Sequence, residues 1–317
     1  MNGLLYWAGF VTIITIMLAL DLGVFNRKAH TIKPKEALLT SLLWITVSLA
    51  FNAAIFYMQG FDKGLAFLTG YLIEKSLSVD NIFVFVVIFS YFHTAGELQH
   101  KVLFWGILGA LIMRGILIAV GSALIHEFEW IIYIFGAFLV YTAFKLATQN
   151  ESGVHPDKNP IVNLFRKIMP VTQEYEGAKF FTRVSGKLVA TPLVIVLIVI
   201  ETTDLVFALD SIPAIFAITT DPFIVYTSNV FAILGLRALY FLLAGAMGTF
   251  RYLKIGLSLV LGFVGVKMII SALDIKIPIA LSLGVIAVIL TVSIAASLFA
   301  NQHDARAEAL KPKQNGS

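Results

Sequence analysis

The sequence predicts an all-α fold: a polytopic transmembrane helical bundle of about nine spans that contains two inverted three-helix repeats. Three observations carry this expectation. Of the 317 residues, 59% are hydrophobic and only 13% charged, and the mean hydropathy is +0.89, far from the values of a soluble domain. Apolar runs long enough to cross a hydrocarbon core of roughly 30 Å recur along the whole chain. The few charges inside those runs recur in one order at nearly one spacing.

The runs fall near residues 4–25, 38–58, 65–91, 102–124, 128–147, 189–219, 223–248, 253–273 and 277–299. The first, Leu4 to Phe25, has no basic leading region and no small-residue cleavage site, so it reads as a retained helix rather than a signal peptide. Placing the N-terminus outside puts 17 of the 23 basic residues in cytoplasmic segments, leaves Lys63 and Lys276 outside, and keeps Lys75, Arg114, Arg237 and Lys267 within spans. That asymmetry supports an odd number of crossings with the C-terminus in the cytoplasm. The absence of cysteine removes disulfides, thiolate metal sites and cysteine nucleophiles.

The segments divide as residues 1–64, the first two helices; 65–147, a first three-helix repeat; 148–188, a cytoplasmic linker; 189–273, a second, inverted repeat; and 274–317, the last helix with a polar tail expected to be disordered beyond Ala300. Within the linker, "NPIVNLFRKIM" offers Asn159 as a cap, Pro160 at the first helical position and apolar Ile161, Leu164, Phe165 and Ile168 on one stripe. An interfacial helix on the inner leaflet and a soluble linker with a single helical turn both fit.

The repeat rests on charges. Asp80, Arg114 and Lys145 are 34 and 31 residues apart, and Asp204, Arg237 and Lys267 are 33 and 30 apart. Local matches fix the register: "SVDNIFVF" with "TTDLVFAL", "ILGALIMR" with "FAILGLR", and "YTAFKL" with "FVGVKM". In the assigned topology the third helix runs inward and the sixth outward, so the units are inverted, a frequent design of secondary transporters with a midplane substrate site.

Six acids lie in or at the edge of the spans: Asp21, Glu74, Asp80, Glu201, Asp204 and Asp210. An intramembrane acid is costly and marks function by default. Glu201 and Asp204, three residues apart, share a helical face, whereas Glu74 and Asp80, like Asp204 and Asp210, are six apart and point about 120° away from each other. Pro213 is expected to kink or break the helix near Asp210 and so let it join the others. Hard oxygen donors, including Asn81, Ser76 and Ser78, and the placement of His30, His93, His100, His126, His155 and His303 in loops or at span edges, suit Mg²⁺, Ca²⁺ or Mn²⁺ and argue against Zn²⁺ or Cu⁺. Thr202 and Ser211 are further candidate donors. The competing account is internal pairing, with Arg114 and Arg237 as structural or gating partners that balance the acids.

"EKSLSVDNIFVF" at 74–85, "ETTDLVFALDSIPAIFAIT" at 201–219 and "LDLGVFNRKAH" at 20–30 resemble the signature segments of the TerC family of integral membrane proteins, close to its Alx-type members, along nearly the whole chain. The resemblance implies a bacterial inner-membrane transporter, with manganese export as its activity and calcium or tellurite-linked roles in relatives. By matching positions it implies Glu74, Asp80, Asn81, Glu201, Asp204 and Asp210 as the metal site. Mn²⁺ is then the transported substrate; the other partner is the lipid bilayer, with no nucleic acid and no resident cofactor. A membrane scaffold or sensor is the alternative from another class. An enzyme is not expected, since no nucleophile, base and orienting third residue assemble in the sequence.

Overall fold

The computed structural model describes residues 2–20, 34–128, 130–148, 159–244, 252–271, 273, 275 and 277–309. Helix dominates because only a structure that satisfies its own backbone groups can sit in hydrocarbon. In chain order the elements are α1 (Asn2–Leu20), α2 (Pro34–Gln59), α3 (Phe61–Tyr91), α4 (Gly96–Glu127), α5 (Ile131–Thr148), α6 (Pro160–Ile168), β1 (Phe181–Val184), β2 (Lys187–Ala190), α7 (Pro192–Phe216), α8 (Pro222–Leu234), α9 (Leu236–Leu243), α10 (Leu253–Ser271) and α11 (Ile279–Ala309).

Among the described residues seven helices are long and apolar enough to cross a membrane, counting α8 and α9 together; they are α2, α4, α5, α7, α8–α9, α10 and α11. α3 has the length, at 31 residues, but carries Asp62, Lys63, Glu74, Lys75 and Asp80. α1 is apolar and shorter.

Two helix interruptions differ from expectation. α7 runs unbroken through Pro213 to Phe216, although the proline cannot donate to the Leu209 carbonyl. The break falls instead at Gly235, between α8 and α9. A Cβ there would lie 2.8 Å from Lys75 Nζ and 3.3 Å from Trp44 Cβ, and Lys75 Nζ donates to the Ala232 carbonyl at 3.2 Å. The ammonium thus takes up one of the last-turn carbonyls that a helix end leaves open. A third difference is the tail: α11 continues to Ala309 rather than ending at Ala300, through alanines, glutamate and arginine that favour helix.

α3, α4, α7 and α8 surround the middle of the bundle, with α7 packed on both α3 and α4 and α8 packed on the same two helices. α10 packs most extensively on α5. There a Cβ on Gly265 would come within 2.9 Å of the Gly136 carbonyl, so close backbone approach, the usual basis of helix association in lipid, requires glycine at this crossing. At one end of the bundle Lys63, at the start of α3, pairs with Asp221, the cap of α8, at 2.6 Å. At the other end lies the linker. Asn159 caps α6, its side chain accepting from Ile161 N at 2.9 Å and Val162 N at 3.3 Å, while β1 and β2 form an antiparallel hairpin that the sequence reading does not anticipate. Val162 is buried against α7, and Ile161, Leu164 and Ile168 of α6 are exposed.

Candidate functional site

Asp204 is the middle residue of α7 (Pro192–Phe216), about 18 Å from either end at 1.5 Å per residue. Glu74 of α3 and Arg114 of α4 come from the middle portions of their own helices. All three are buried, Arg114 and Glu74 to 1% exposure and Asp204 to 3%. A charged group at that depth is held only by partners.

The partners are complete on the Arg114 side. Its Nε donates to Asp204 Oδ2 at 3.1 Å and its Nη2 to Asp204 Oδ1 at 2.9 Å, the forked geometry that guanidinium and carboxylate share. Its Nη1 meets Glu74 Oε1 and also donates to Ser211 Oγ and Asn229 Oδ1, each at 3.2 Å. Asn229 of α8 turns its amide nitrogen to Glu74 Oε2 at 3.0 Å, and Asn81 Nδ2 reaches Asp204 Oδ1 at 3.4 Å. Four helices therefore meet at one guanidinium.

Around this node lie buried oxygens that accept nothing: Ser78 Oγ, Asn81 Oδ1 and Glu201 Oε2 have no hydrogen-bond partner. Each such atom costs the desolvation of an acceptor. Glu74, Ser78 and Asn81 follow an i, i+4, i+7 line, so one face of α3 carries all three, and all three are almost wholly buried. Asp80 is off that line and half-buried. Glu201 sits against α4 where Gly109 leaves room: a Cβ on Gly109 would lie 2.0 Å from Glu201 Oε1. A cavity of about 10 Å³ borders Asp204, lined otherwise by apolar groups such as Phe85, Gly106 and Ile200, enough for one water-sized guest.

The sequence expectation of one converging set of acids is only partly met. Glu74, Asp204, Asn81 and Ser211 come together; Glu201 and Ser78 border them. Asp210 does not join, because the unbroken α7 turns it toward α5, where Thr142 Oγ1 donates to its Oδ1 at 3.0 Å. Thr202 accepts from Asn159 Nδ2 at 2.8 Å and so belongs to the contact between α6 and α7. Arg237 is buried at 4% on α9, and Asp21 lies outside the described residues. Among the described residues no three His, Cys, Asp or Glu side chains converge closely enough to hold a metal ion.

Asn229 and Gly109 were missed by sequence reasoning. Asn229 had a signal, the polar string "TSN" inside an otherwise apolar run. Gly109 had none, since its role appears only when α4 meets Glu201.

Comparison with known proteins places these residues in a family. The profile described as "Integral membrane protein TerC family" matches residues 59–305, which includes every residue of the node. An "Uncharacterized membrane protein" of Myxococcus xanthus is 53% identical over 307 residues, covering 97% of this chain and 96% of its own. A protein named "Putative membrane-bound redox modulator Alx" from Escherichia coli K12 is 51% identical over 312 residues, with 95% and 96% coverage. An "Uncharacterized membrane protein" of Rickettsia bellii is 44% identical over 292 residues, with 92% and 96% coverage. No solved structure matches the chain.

Proposed function

The chain belongs to the TerC family of integral membrane proteins, and on that premise we propose that it is a secondary transporter exporting divalent cations, Mn²⁺ foremost, from the cytoplasm. One observation carries the reading: Glu74 and Asp204 are buried at the middle of the bundle beside Ser78 Oγ, Asn81 Oδ1 and Glu201 Oε2, oxygens that have no partner. All are hard donors of the kind Mn²⁺, Mg²⁺ and Ca²⁺ prefer.

The helix contacts favour the duplication on which the inverted-repeat reading rests. Exchanging α3, α4 and α5 with α7, α8–α9 and α10 turns the α3–α8 contact into the α7–α4 contact and leaves the α5–α10 pair unchanged. Both exchanged contacts are extensive. The Arg114–Asp204 pair then joins the two units, and rocking of one unit on the other would expose the node alternately to each side. In this reading nine spans leave the N-terminus outside and the linker and C-terminus in the cytoplasm, as the basic residues favour.

Export of a divalent ion against an inside-negative potential costs about 4.6 kcal/mol per 100 mV, twice the single-charge figure. Proton antiport supplies this if the carboxylates that release the cation take up protons. The redox-modulator name of the relatives does not translate into thiol chemistry here, because the chain has no cysteine; a redox effect would follow from the cell's metal content.

The test is transport by purified protein in proteoliposomes loaded with Mn²⁺, Ca²⁺, Mg²⁺ or Zn²⁺ under an imposed pH gradient. Mn²⁺ movement above empty liposomes, lost in Asp204→Ala, is the expected result. Absence of movement for every cation would favour a scaffold or sensor.

A further inference from the structure

The donors around Glu74 and Asp204 leave no open place for a cation. Both oxygens of Asp204 accept from Arg114, one of them also from Asn81, and the two oxygens of Glu74 accept from Arg114 and Asn229. A doubly charged ion on the same oxygens would stand in contact range of the guanidinium, a repulsion that the dry surroundings enhance. Guanidinium and cargo therefore exclude each other.

We infer that Arg114 is a tethered counter-cation: it occupies Glu74 and Asp204 whenever no metal is bound, is displaced by the transported ion, and so sets cation affinity and lets the metal-free carrier return with its coupled proton. The inference rests on the transport reading above and adds a role for this residue. Its physical need is plain, since the carrier must recross the membrane after releasing the ion and two bare carboxylates at mid-depth resist that; the guanidinium answers one of the two charges and leaves the other for the coupled proton. Ser211 and Asn229, which accept from Nη1, hold the guanidinium in its locked position. The unpartnered Ser78, Asn81 and Glu201 oxygens lie beside the lock and await the ion. Because the locked form does not bind, the apparent dissociation constant exceeds the intrinsic one by the inverse of the unlocked fraction.

The experiment compares wild type, Arg114→Ala and Arg114→Lys in proteoliposomes with Mn²⁺ alone as probe. Two modes are read: net flux into cation-free buffer, which needs the empty carrier to return, and exchange of labelled for unlabelled Mn²⁺ at equal concentrations, which does not. Binding is followed by titration of the detergent-solubilised protein. Arg114→Ala is expected to bind Mn²⁺ at least tenfold more tightly and to lose net flux at least tenfold while exchange persists. Arg114→Lys keeps a charge but not the fork, so its ratio of exchange to net flux is expected between the two. Equal loss of both modes in Arg114→Ala, or unchanged or weaker binding, would overturn the inference by making the residue structural. Should Arg114→Ala fail to reach the membrane, Arg114→Lys decides: a wild-type ratio with wild-type affinity refutes the idea. A wild-type protein that exchanges no Mn²⁺ would instead refute the transport reading itself.

Discussion

Replacing Gly109 by alanine probes whether Glu201 is a ligand without touching any charge. The new Cβ would lie 2.0 Å from Glu201 Oε1, 2.5 Å from its Cδ and 2.7 Å from Oε2, where ordinary contact begins at 3.4 Å. The nearer oxygen must therefore retreat by about 1.4 Å, the difference of those two distances. Glu201 is the end of a flexible side chain, so it can give way and the helices need not part; the protein should reach the membrane at near wild-type level. A coordination bond is less forgiving, tolerating about 0.2 Å. Displacing a ligand's support costs about 10–100-fold in metal affinity, or ~1.4–2.7 kcal/mol. Mn²⁺ titration of the solubilised variant, with flux in proteoliposomes, measures this. Shortening the acid in Gly109→Ala/Glu201→Asp withdraws the carboxylate by about one methylene, and affinity should partly recover. Wild-type affinity in Gly109→Ala would refute the argument, because the carboxylate could then move that far without consequence.

Removing the Asp204 carboxylate in Asp204→Ala leaves Arg114 buried with only Glu74 to answer it; loss of one partner of a buried pair costs about 3–5 kcal/mol, seen as a large drop in detergent melting temperature that Arg114→Ala should partly reverse in the double variant. Asp210→Asn should keep Mn²⁺ affinity within about threefold, as its partner is Thr142 rather than Arg114; a loss as large as that of Asp204→Ala would return Asp210 to the site. Gly265→Val puts branched carbons where even a Cβ meets the Gly136 carbonyl, so α5 and α10 should separate and melting should fall by more than the same change at Gly262, where the nearest group is the Ala143 Cβ at 3.6 Å. If the inverted pairing holds, Arg237 answers Asp80 as Arg114 answers Asp204, and flux lost in Asp80→Arg and in Arg237→Asp should return in part when the two are combined; no recovery would count against the symmetry.

Much of the site was legible because membrane burial makes polar residues stand out. Glu74, Arg114 and Asp204 could be chosen from composition alone, since each interrupts an apolar run, and no account of a bilayer span leaves such residues unexplained. Which of them meet could not be read the same way. The spacing rule set Glu74 and Asp80, six residues apart, on different faces of α3, and the face that matters runs from Glu74 through Ser78 to Asn81, at four and seven. Pro213 pointed to a break that would gather Asp210, but α7 continues through the proline to Phe216. The interruption that does occur, at Gly235, lies against Lys75 and Trp44 of other helices, a neighbourhood no local pattern reveals.

The sequence by itself determined that this chain is a helical membrane protein of the TerC family with acids and arginines at mid-depth, because hydropathy, helical period and signature segments are local properties. The tertiary structure alone decided that Arg114 stands between Glu74 and Asp204, that Asn229 closes the ring, and that Gly109 makes room for Glu201. Those facts depend on the close approach of α3, α4, α7 and α8, whose residues are up to 155 positions apart in sequence. No local pattern encodes which of several buried acids an arginine will reach; helix packing does.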